Sequence, residues 1–107
     1  MNELEIGARE LEALIASSAE LQLLDVREDW EAALVRLAGA IHMPMQQVER
    51  RRDELDASKP TVVYCHHGIR SMHVALFLRS HGFTDVKSLR GGIERWATEI
   101  DPTLARY

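Results

Sequence analysis

The sequence predicts an α/β fold in which a parallel sheet lies between two layers of helices. Short apolar segments alternate with segments of helical apolar spacing about four or five times along the chain, an order typical of such folds. The apolar segments show little alternation with polar residues, which indicates strands that are covered on both faces. We therefore expect a three-layer α/β/α arrangement with a central sheet of about five strands, mainly parallel, joined by right-handed crossovers.

Length and composition predict a single domain spanning residues 1–107, with 46% hydrophobic and 28% charged residues. A net charge of −4 does not support a nucleic-acid partner. No apolar run approaches the roughly 20 residues that cross a bilayer, and residues 1–5 lack the features of a signal peptide, so we expect no membrane partner. One cysteine cannot form an internal disulfide, and a reducing cytoplasm is the expected location.

The first third of the chain predicts a strand, a helix and a second strand. Residues 4–6 are a candidate edge strand. A helix is predicted over about 8–16, and a buried strand over 21–26. The helix is indicated by three apolar residues at i, i+3 and i+4, namely Leu11, Leu14 and Ile15.

A second helix follows two acidic residues, which suit the start of a helix. Its apolar residues at helical spacing are Trp30, Ala33 and Leu34. Residues 39–44 then read as a turn and a very short strand, and Pro44 is well placed to begin a third helix. The apolar face of that helix consists of Met45, Val48 and Leu55.

The basic run Arg50–Arg52 falls on the other side of the third helix. Such a run is usually a solvated face. The alternative interpretation is a docking patch for an acidic protein partner.

The second half of the chain contains two further strands, two helices and a turn. A strand over 61–64 is followed, after a loop, by a helix to about residue 81, where Gly82 ends the helix and Phe83 folds back onto it. Residues 85–89 form a plausible short strand, and Gly91-Gly92 makes a turn. A last helix, ended by Pro102, presents the apolar residues Ile93, Trp96, Ala97 and Ile100. The apolar face predicted for the helix that ends at about residue 81 consists of Ile69, Met72, Ala75 and Leu76.

The loop between the 61–64 strand and the next helix begins with the only cysteine, Cys65. The carboxyl ends of parallel strands are where open α/β sheets bind ligands, and Cys65 is predicted to lie there. Loop amides and a helix N-terminus favour negative charge on its sulfur. An inert core cysteine is the competing interpretation, which the following Gly-x-Arg-Ser and the onset of a helix disfavour.

Arg70, Gly68, Ser71 and one of the two histidines have predicted roles beside the cysteine. Arg70 is expected to bring its guanidinium over the same pocket, where it can grip an oxyanion with two donors. Gly68 permits a positive φ, which aims backbone amides inward, and Ser71 caps the helix or donates to the anion. His66 and His67 are expected to point in different directions and are poor joint metal ligands, so no metal site is predicted. One of them is expected to tune the sulfur or contact substrate.

The segment Cys65-His66-His67-Gly68-Ile69-Arg70-Ser71 resembles the Cys-x-x-Gly-x-Arg-Ser loop of single-domain rhodaneses. Further similar blocks occur in order at residues 24–28, 39–44 and 82–96. The closing Asp101-Pro102 and Arg106-Tyr107 are similar to those of rhodanese domains fused behind sulfur-activation enzymes. In one departure, Val35–Ala38 stand where many members have Gly-His-Ile-Pro.

The resemblance implies a thiosulfate sulfurtransferase that works without cofactor or metal. Cys65 would accept a sulfur atom from thiosulfate or a persulfide donor and pass it to cyanide, a thiol or a protein cysteine. The amides from His66 to Ser71 would cradle the persulfide, and Arg70 would hold the sulfonate of thiosulfate. Asp25 and Arg27 match a family motif and are interpreted as a structural pair.

Two other functions compete with sulfur transfer. Phosphatases of the same fold also join a cysteine to an arginine, but with five residues between them, whereas Cys65 and Arg70 enclose four. The shorter loop favours a single sulfur atom over a phosphoryl group. The second alternative is a sulfur-relay carrier or a non-catalytic interaction module; modules of that kind often lack the cysteine that this chain keeps.

Overall fold

A five-stranded sheet forms the centre of the structure, a computed structural model that describes residues 3–107. All strand pairs are parallel, and the spatial order is β1-β5-β4-β2-β3. The strands are β1 (Glu5–Ile6), β2 (Gln22–Asp25), β3 (Ile41–His42), β4 (Thr61–Tyr64) and β5 (Val86–Leu89). The predicted sheet is confirmed, including the short edge strand. The first two residues of the segment 1–5, where a signal peptide was not expected, lie outside the described residues.

Five α-helices connect or follow the strands. They are α1 (Ala8–Ser17), α2 (Asp29–Leu34), α3 (Val48–Arg51), α4 (Ile69–Arg79) and α5 (Gly92–Glu99). The third helix is shorter than predicted, since one 3₁₀ turn precedes it at Met45–Gln47 and another follows at Arg52–Glu54. Tight turns of this kind are common at helix ends. No helix within residues 3–107 is long and apolar enough to cross a membrane.

The sheet carries an apolar cluster on each face, which gives the predicted three layers. Alternate residues of β4 divide between them: Val63 packs with α3 and α4, whereas Val62 and Tyr64 pack with α1 and α5. Because both faces are covered, the strand reads as a continuous apolar run in the sequence. Residues contributed by the helices to the two clusters include Val48, Val74, Ala75 and Leu78 on one face and Ala8, Leu11, Ile93 and Trp96 on the other.

The helix α2 exists as predicted, but the apolar residues predicted for its buried face, Trp30, Ala33 and Leu34, are exposed. Trp30 is 62% exposed and Leu34 is 50% exposed, whereas Glu31 and Ala32 are buried. The predicted apolar face is therefore wrong. The reason is that α2 packs its buried side against a network of charged groups, in which Glu31 has an arginine partner.

The helix α4 is also rotated relative to its predicted face. Of the residues predicted for that face, Ile69 is 73% exposed and Leu76 is 47% exposed, whereas Ala75 is buried as predicted. The other buried residues of the helix are Ser71, Val74 and Leu78. This rotation places Ser71 beside the cysteine and turns Ile69 to the surface. The end of the helix is as predicted, since Gly82 has a φ of +95° and the N–H of Phe83 donates to the carbonyl of Leu78 at 3.1 Å.

Candidate active site

The sulfur of Cys65 lies at the carboxyl end of β4, where three polar groups converge on it. The backbone N–H groups of Gly68 and Ser71 point at Sγ from 3.1 and 3.4 Å. The thiol also lies 3.5 Å from Ser71 Oγ, which in turn is 2.7 Å from the hydroxyl of Ser88 on β5. The cysteine is only 1% exposed. Donors at the start of a helix, aimed at a buried sulfur, are suited to an anionic sulfur species.

The first turn of α5 supports this loop from behind. Its N–H groups at Ile93 and Glu94 donate to the carbonyls of Cys65 and His66 at 2.9 and 3.2 Å. Gly92 makes this approach possible, because a Cβ there would overlap the carbonyl of His66 and lie 2.6 Å from that of Cys65. The sequence indicated only a turn at this glycine, and its packing against the loop was not predicted.

The guanidinium of Arg70 is held by a buried carboxylate. Its Nη1 and Nη2 donate to the two carboxylate oxygens of Glu31 at 2.7 and 3.0 Å. These bonds raise the pKa of Arg70 against an opposing effect of burial, and attraction to Glu31 and Cys65 adds to the increase. The two bonds use two of the five N–H groups of a guanidinium, so three are left to contact an anion.

Glu31 is charged although its side chain is only 4% exposed. Burial alone raises the pKa of a carboxyl group, but hydrogen bonds from Arg70, the backbone of Glu28 and Tyr107 outweigh that effect and lower the pKa of Glu31 to about 2. No local feature of the sequence indicates this role, because Arg70 lies 39 positions further along the chain.

Tyr107 joins this charged group to a second one. Its phenol donates to Glu31 Oε2 at 2.7 Å and accepts from Arg27 Nη1 at 3.0 Å. Arg27 also forms the predicted ion pair with Asp25, at 2.7 Å and with both side chains fully buried. Burial raises the pKa of Tyr107 to about 12, with Arg27 opposing and Glu31 adding to the shift. The phenol therefore stays protonated at physiological pH.

The rings of the two loop histidines stack on each other, contrary to the prediction that they point in different directions. The ring centroids of His66 and His67 are 3.9 Å apart, and the other face of His66 stacks on Tyr107 at 3.8 Å. The ring of Tyr107 supplies the second partner of the stack, which local sequence does not reveal. Burial and the neighbouring His67 lower the pKa of His66. His67 is exposed.

The segment that departs from the family pattern bonds buried polar groups of the interior through its backbone. The carbonyl of Val35 accepts from Arg27 Nη2 at 2.6 Å, and the N–H of Leu37 donates to the phenol of Tyr64 at 3.1 Å. Both contacts use main-chain atoms, so they do not require the side chains that many members carry there.

Of the loop residues predicted from the sequence, Gly68 and Ser71 contact the sulfur of Cys65, and the charge of Arg70 interacts with it. The side chain of His67 is exposed, as is that of Ile69. Ile69 points to solvent and contributes to the surface beside the loop. Within residues 3–107 there is no group of three or more His, Cys, Asp or Glu side chains arranged to hold a metal ion.

A family model described as a rhodanese-like domain matches residues 7–99. The chain belongs to the rhodanese-like domain family. This rhodanese is 35% identical over 82 residues to the thiosulfate sulfurtransferase GlpE of Coxiella burnetii, a match that covers 77% of each protein. It is 32% identical over 101 residues to a sulfurtransferase of Allochromatium vinosum, with 94% of each covered.

Solved structures agree with the fold of this rhodanese. The crystal structure of a rhodanese-related protein from Thermoplasma volcanium superimposes with a TM-score of 0.82 and 30% identity, over 90% of this chain and 92% of that one. The family and the three-layer fold expected from the motifs are both confirmed.

Proposed function

We propose that this rhodanese is a sulfurtransferase that carries sulfur as a persulfide on Cys65. The observation that supports this proposal most is the convergence of the Gly68 and Ser71 amides on a buried, single cysteine sulfur. Relatives that bear the name sulfurtransferase, one of them acting on thiosulfate, support the same reaction class.

The proposed reaction has two half-reactions. The thiolate of Cys65 attacks the outer sulfur of thiosulfate, a new S–S bond forms, and sulfite leaves with the electron pair of the broken bond. Cyanide or a thiolate then attacks the outer sulfur of the persulfide. Thiocyanate or a new persulfide leaves, and the thiolate of Cys65 is restored. A persulfide donor loads Cys65 in the same way, with a thiolate as the leaving group, and neither step calls for a cofactor or metal.

Each loop residue has a proposed part in this scheme. The amides from His66 to Ser71 hold the persulfide sulfur, and Arg70 directs its three remaining N–H groups at the sulfonate of thiosulfate. The exposed side chains of His67 and Ile69 lie where an acceptor approaches. The single domain predicted over residues 1–107 would carry the whole site, in the cytoplasm, where Cys65 stays reduced.

A protein sulfur acceptor would use the same chemistry. The basic run Arg50–Arg52 is, however, less suited to bind such a partner than the sequence suggested. Arg51 bonds Glu54 and Gln47, and the guanidinium of Arg52 packs over the ring of Phe77. Arg51 and Arg52 are half-buried, so the run is not the fully solvated face that was predicted, and Arg50 alone is exposed.

Steady-state formation of thiocyanate from thiosulfate and cyanide tests the proposal. Cys65→Ser is expected to abolish turnover, and Arg70→Ala to raise the KM for thiosulfate more than it lowers kcat. Arg50→Ala is the control, with unchanged kinetics. Hydrolysis of an aryl phosphate without any thiocyanate formation would instead assign the chain to the phosphatase class, and full turnover by Cys65→Ser would refute the role of the cysteine.

A further inference from the structure

Tyr107 contacts three parts of the active site although it is 36 or more positions away from each in the sequence. Its phenol bonds Glu31 and Arg27, and its ring stacks on His66 at 3.8 Å with an interplanar angle of 12°. Tyr107 thus has two charged hydrogen-bond partners and a stacked ring on the catalytic loop. These contacts can fix the positions of Glu31, Arg27 and His66 relative to one another.

The carboxylate of Glu31 receives four donors, two on each oxygen. Oε1 accepts from the N–H of Glu28 at 2.9 Å and from Arg70 at 2.7 Å. Oε2 accepts from Arg70 at 3.0 Å and from the phenol of Tyr107 at 2.7 Å. Because each oxygen has one fixed donor besides Arg70, the plane of the carboxylate is set, and the bidentate pair transmits that orientation to the guanidinium.

Without the phenol, Arg70 would be the only donor left on Oε2. Arg27 Nη1 would keep only the backbone carbonyl of Glu31, at 3.3 Å. The carboxylate would then be free to turn, and the guanidinium of Arg70 would no longer be held in one orientation. Its three remaining N–H groups would be aimed less well at an anionic donor, so the donor would bind more weakly.

We infer that Tyr107 is a positioning residue that orients Arg70, through Glu31, for binding of an anionic sulfur donor. This inference rests on the proposed function, since it assigns Arg70 to the donor. It predicts that Tyr107 affects loading of Cys65 from thiosulfate and leaves unloading of the persulfide unchanged. Tyr107→Phe keeps the ring that stacks on His66 and removes only the hydroxyl group. The variant therefore measures the effect of the hydroxyl alone.

The test compares Tyr107→Phe with Tyr64→Phe. The phenol of Tyr64 also lies in the polar interior, bonded to Asp25 at 3.0 Å and to the N–H of Leu37, but it does not bond Glu31. Tyr107→Phe is expected to raise the KM for thiosulfate about tenfold, the effect of one hydrogen bond to a charged group. It should change kcat/KM for cyanide less than about twofold, whereas Tyr64→Phe should lower thermal stability only.

A double-mutant cycle supplies the second readout. In an Arg70→Ala background, Tyr107→Phe is expected to cause no further rise in KM. Equal KM changes in the two tyrosine variants, or a tenfold effect that persists without Arg70, would overturn the inference, since the role of Tyr107 would then be structural only.

Thiosulfate binding to chains carrying Cys65→Ser, which cannot react, separates this inference from the proposed function. Calorimetry is expected to show about tenfold weaker binding when Tyr107→Phe is added. If the unaltered chain transfers no sulfur, the proposed function fails, and the calorimetric comparison still decides the role of Tyr107. Equal thiosulfate affinity in the two chains would contradict that role.

Discussion

The cradle around Cys65 and the support of Arg70 lie in one candidate active site but are built differently. The cradle lies within consecutive residues, 65–71, of which Gly68 and Ser71 point their backbone N–H groups at the sulfur. The guanidinium of Arg70 is instead held by Glu31, which lies 39 positions earlier, and indirectly by Tyr107. The cradle depends on the path of the main chain, whereas the support of Arg70 depends on the balance of buried charges. The two should therefore respond to different substitutions and to different conditions.

The largest effect is expected from Gly92→Ala, which acts on the cradle alone. The added Cβ would overlap the carbonyl of His66, at a residue whose φ is +61°. We expect activity to be lost and the free energy of unfolding to fall by about 1–3 kcal/mol beyond the cost of strain. The matched control is Gly39→Ala, since Gly39 has a φ of +78° and nothing lies within 4 Å of the new Cβ. Its free energy of unfolding should fall only by the cost of the strained backbone, about 1–2 kcal/mol. Equal losses by denaturant unfolding would show that α5 does not support the loop.

The next largest effect should come from Glu31→Gln, which acts on the support of Arg70. The pKa of Glu31 is lowered from 4.5 to about 2 in the folded chain. Its carboxylate therefore stabilises the fold fully above pH about 4.5, by an amount of the order of 3 kcal/mol, and this contribution is lost as the pH falls toward 2. At neutral pH the variant should be less stable, because the charge of Arg70 is no longer balanced.

Denaturant unfolding at a series of pH values measures this contribution. The unaltered chain should lose stability between pH 4.5 and 2 more steeply than Glu31→Gln. The exposed Glu12 provides the control, since Glu12→Gln should keep the steep loss. Parallel profiles for the unaltered chain and Glu31→Gln would mean that Glu31 is not held as a buried carboxylate.

The smallest effect is expected from Ser71→Ala, which removes one hydroxyl from the cradle and leaves its backbone donor. We expect kcat to fall about tenfold, less than for a full oxyanion-hole donor, since the hydroxyl is 3.5 Å from the sulfur. Ser88→Ala removes the partner of that hydroxyl without touching Cys65, and both variants should lose about 1 kcal/mol of stability. Identical kcat values in the two variants would show that the Ser71 hydroxyl does not act on the sulfur.

Much of the fold was predictable because its signals are local. The strand β4 has the predicted bounds, Thr61–Tyr64, since its apolar run is buried on both faces and ends at the cysteine. The left-handed turns at Gly68 and Gly82 follow from the conformational freedom of glycine. The cradle was predictable for the same reason, as its donors lie within six residues of Cys65.

The support of Arg70 was not predictable, because burial there is decided by partners far along the chain. The spacing of Trp30 and Leu34 indicated an apolar face, yet both are exposed, and Glu31 is buried with Ala32 between them. A glutamate is normally exposed, and only its pairing with Arg70 and Tyr107 makes burial favourable. The stack of Tyr107 on His66 is another long-range contact, which no neighbouring residue indicates.

A single-turnover mass measurement tests most directly whether Cys65 itself carries the transferred sulfur. After incubation with thiosulfate in the absence of acceptor, the chain should gain the mass of one sulfur atom on the peptide that contains Cys65, and one equivalent of sulfite should be released. Added cyanide should remove that mass and yield one equivalent of thiocyanate. Thiocyanate formation by a folded chain that never gains sulfur on Cys65 would contradict the account.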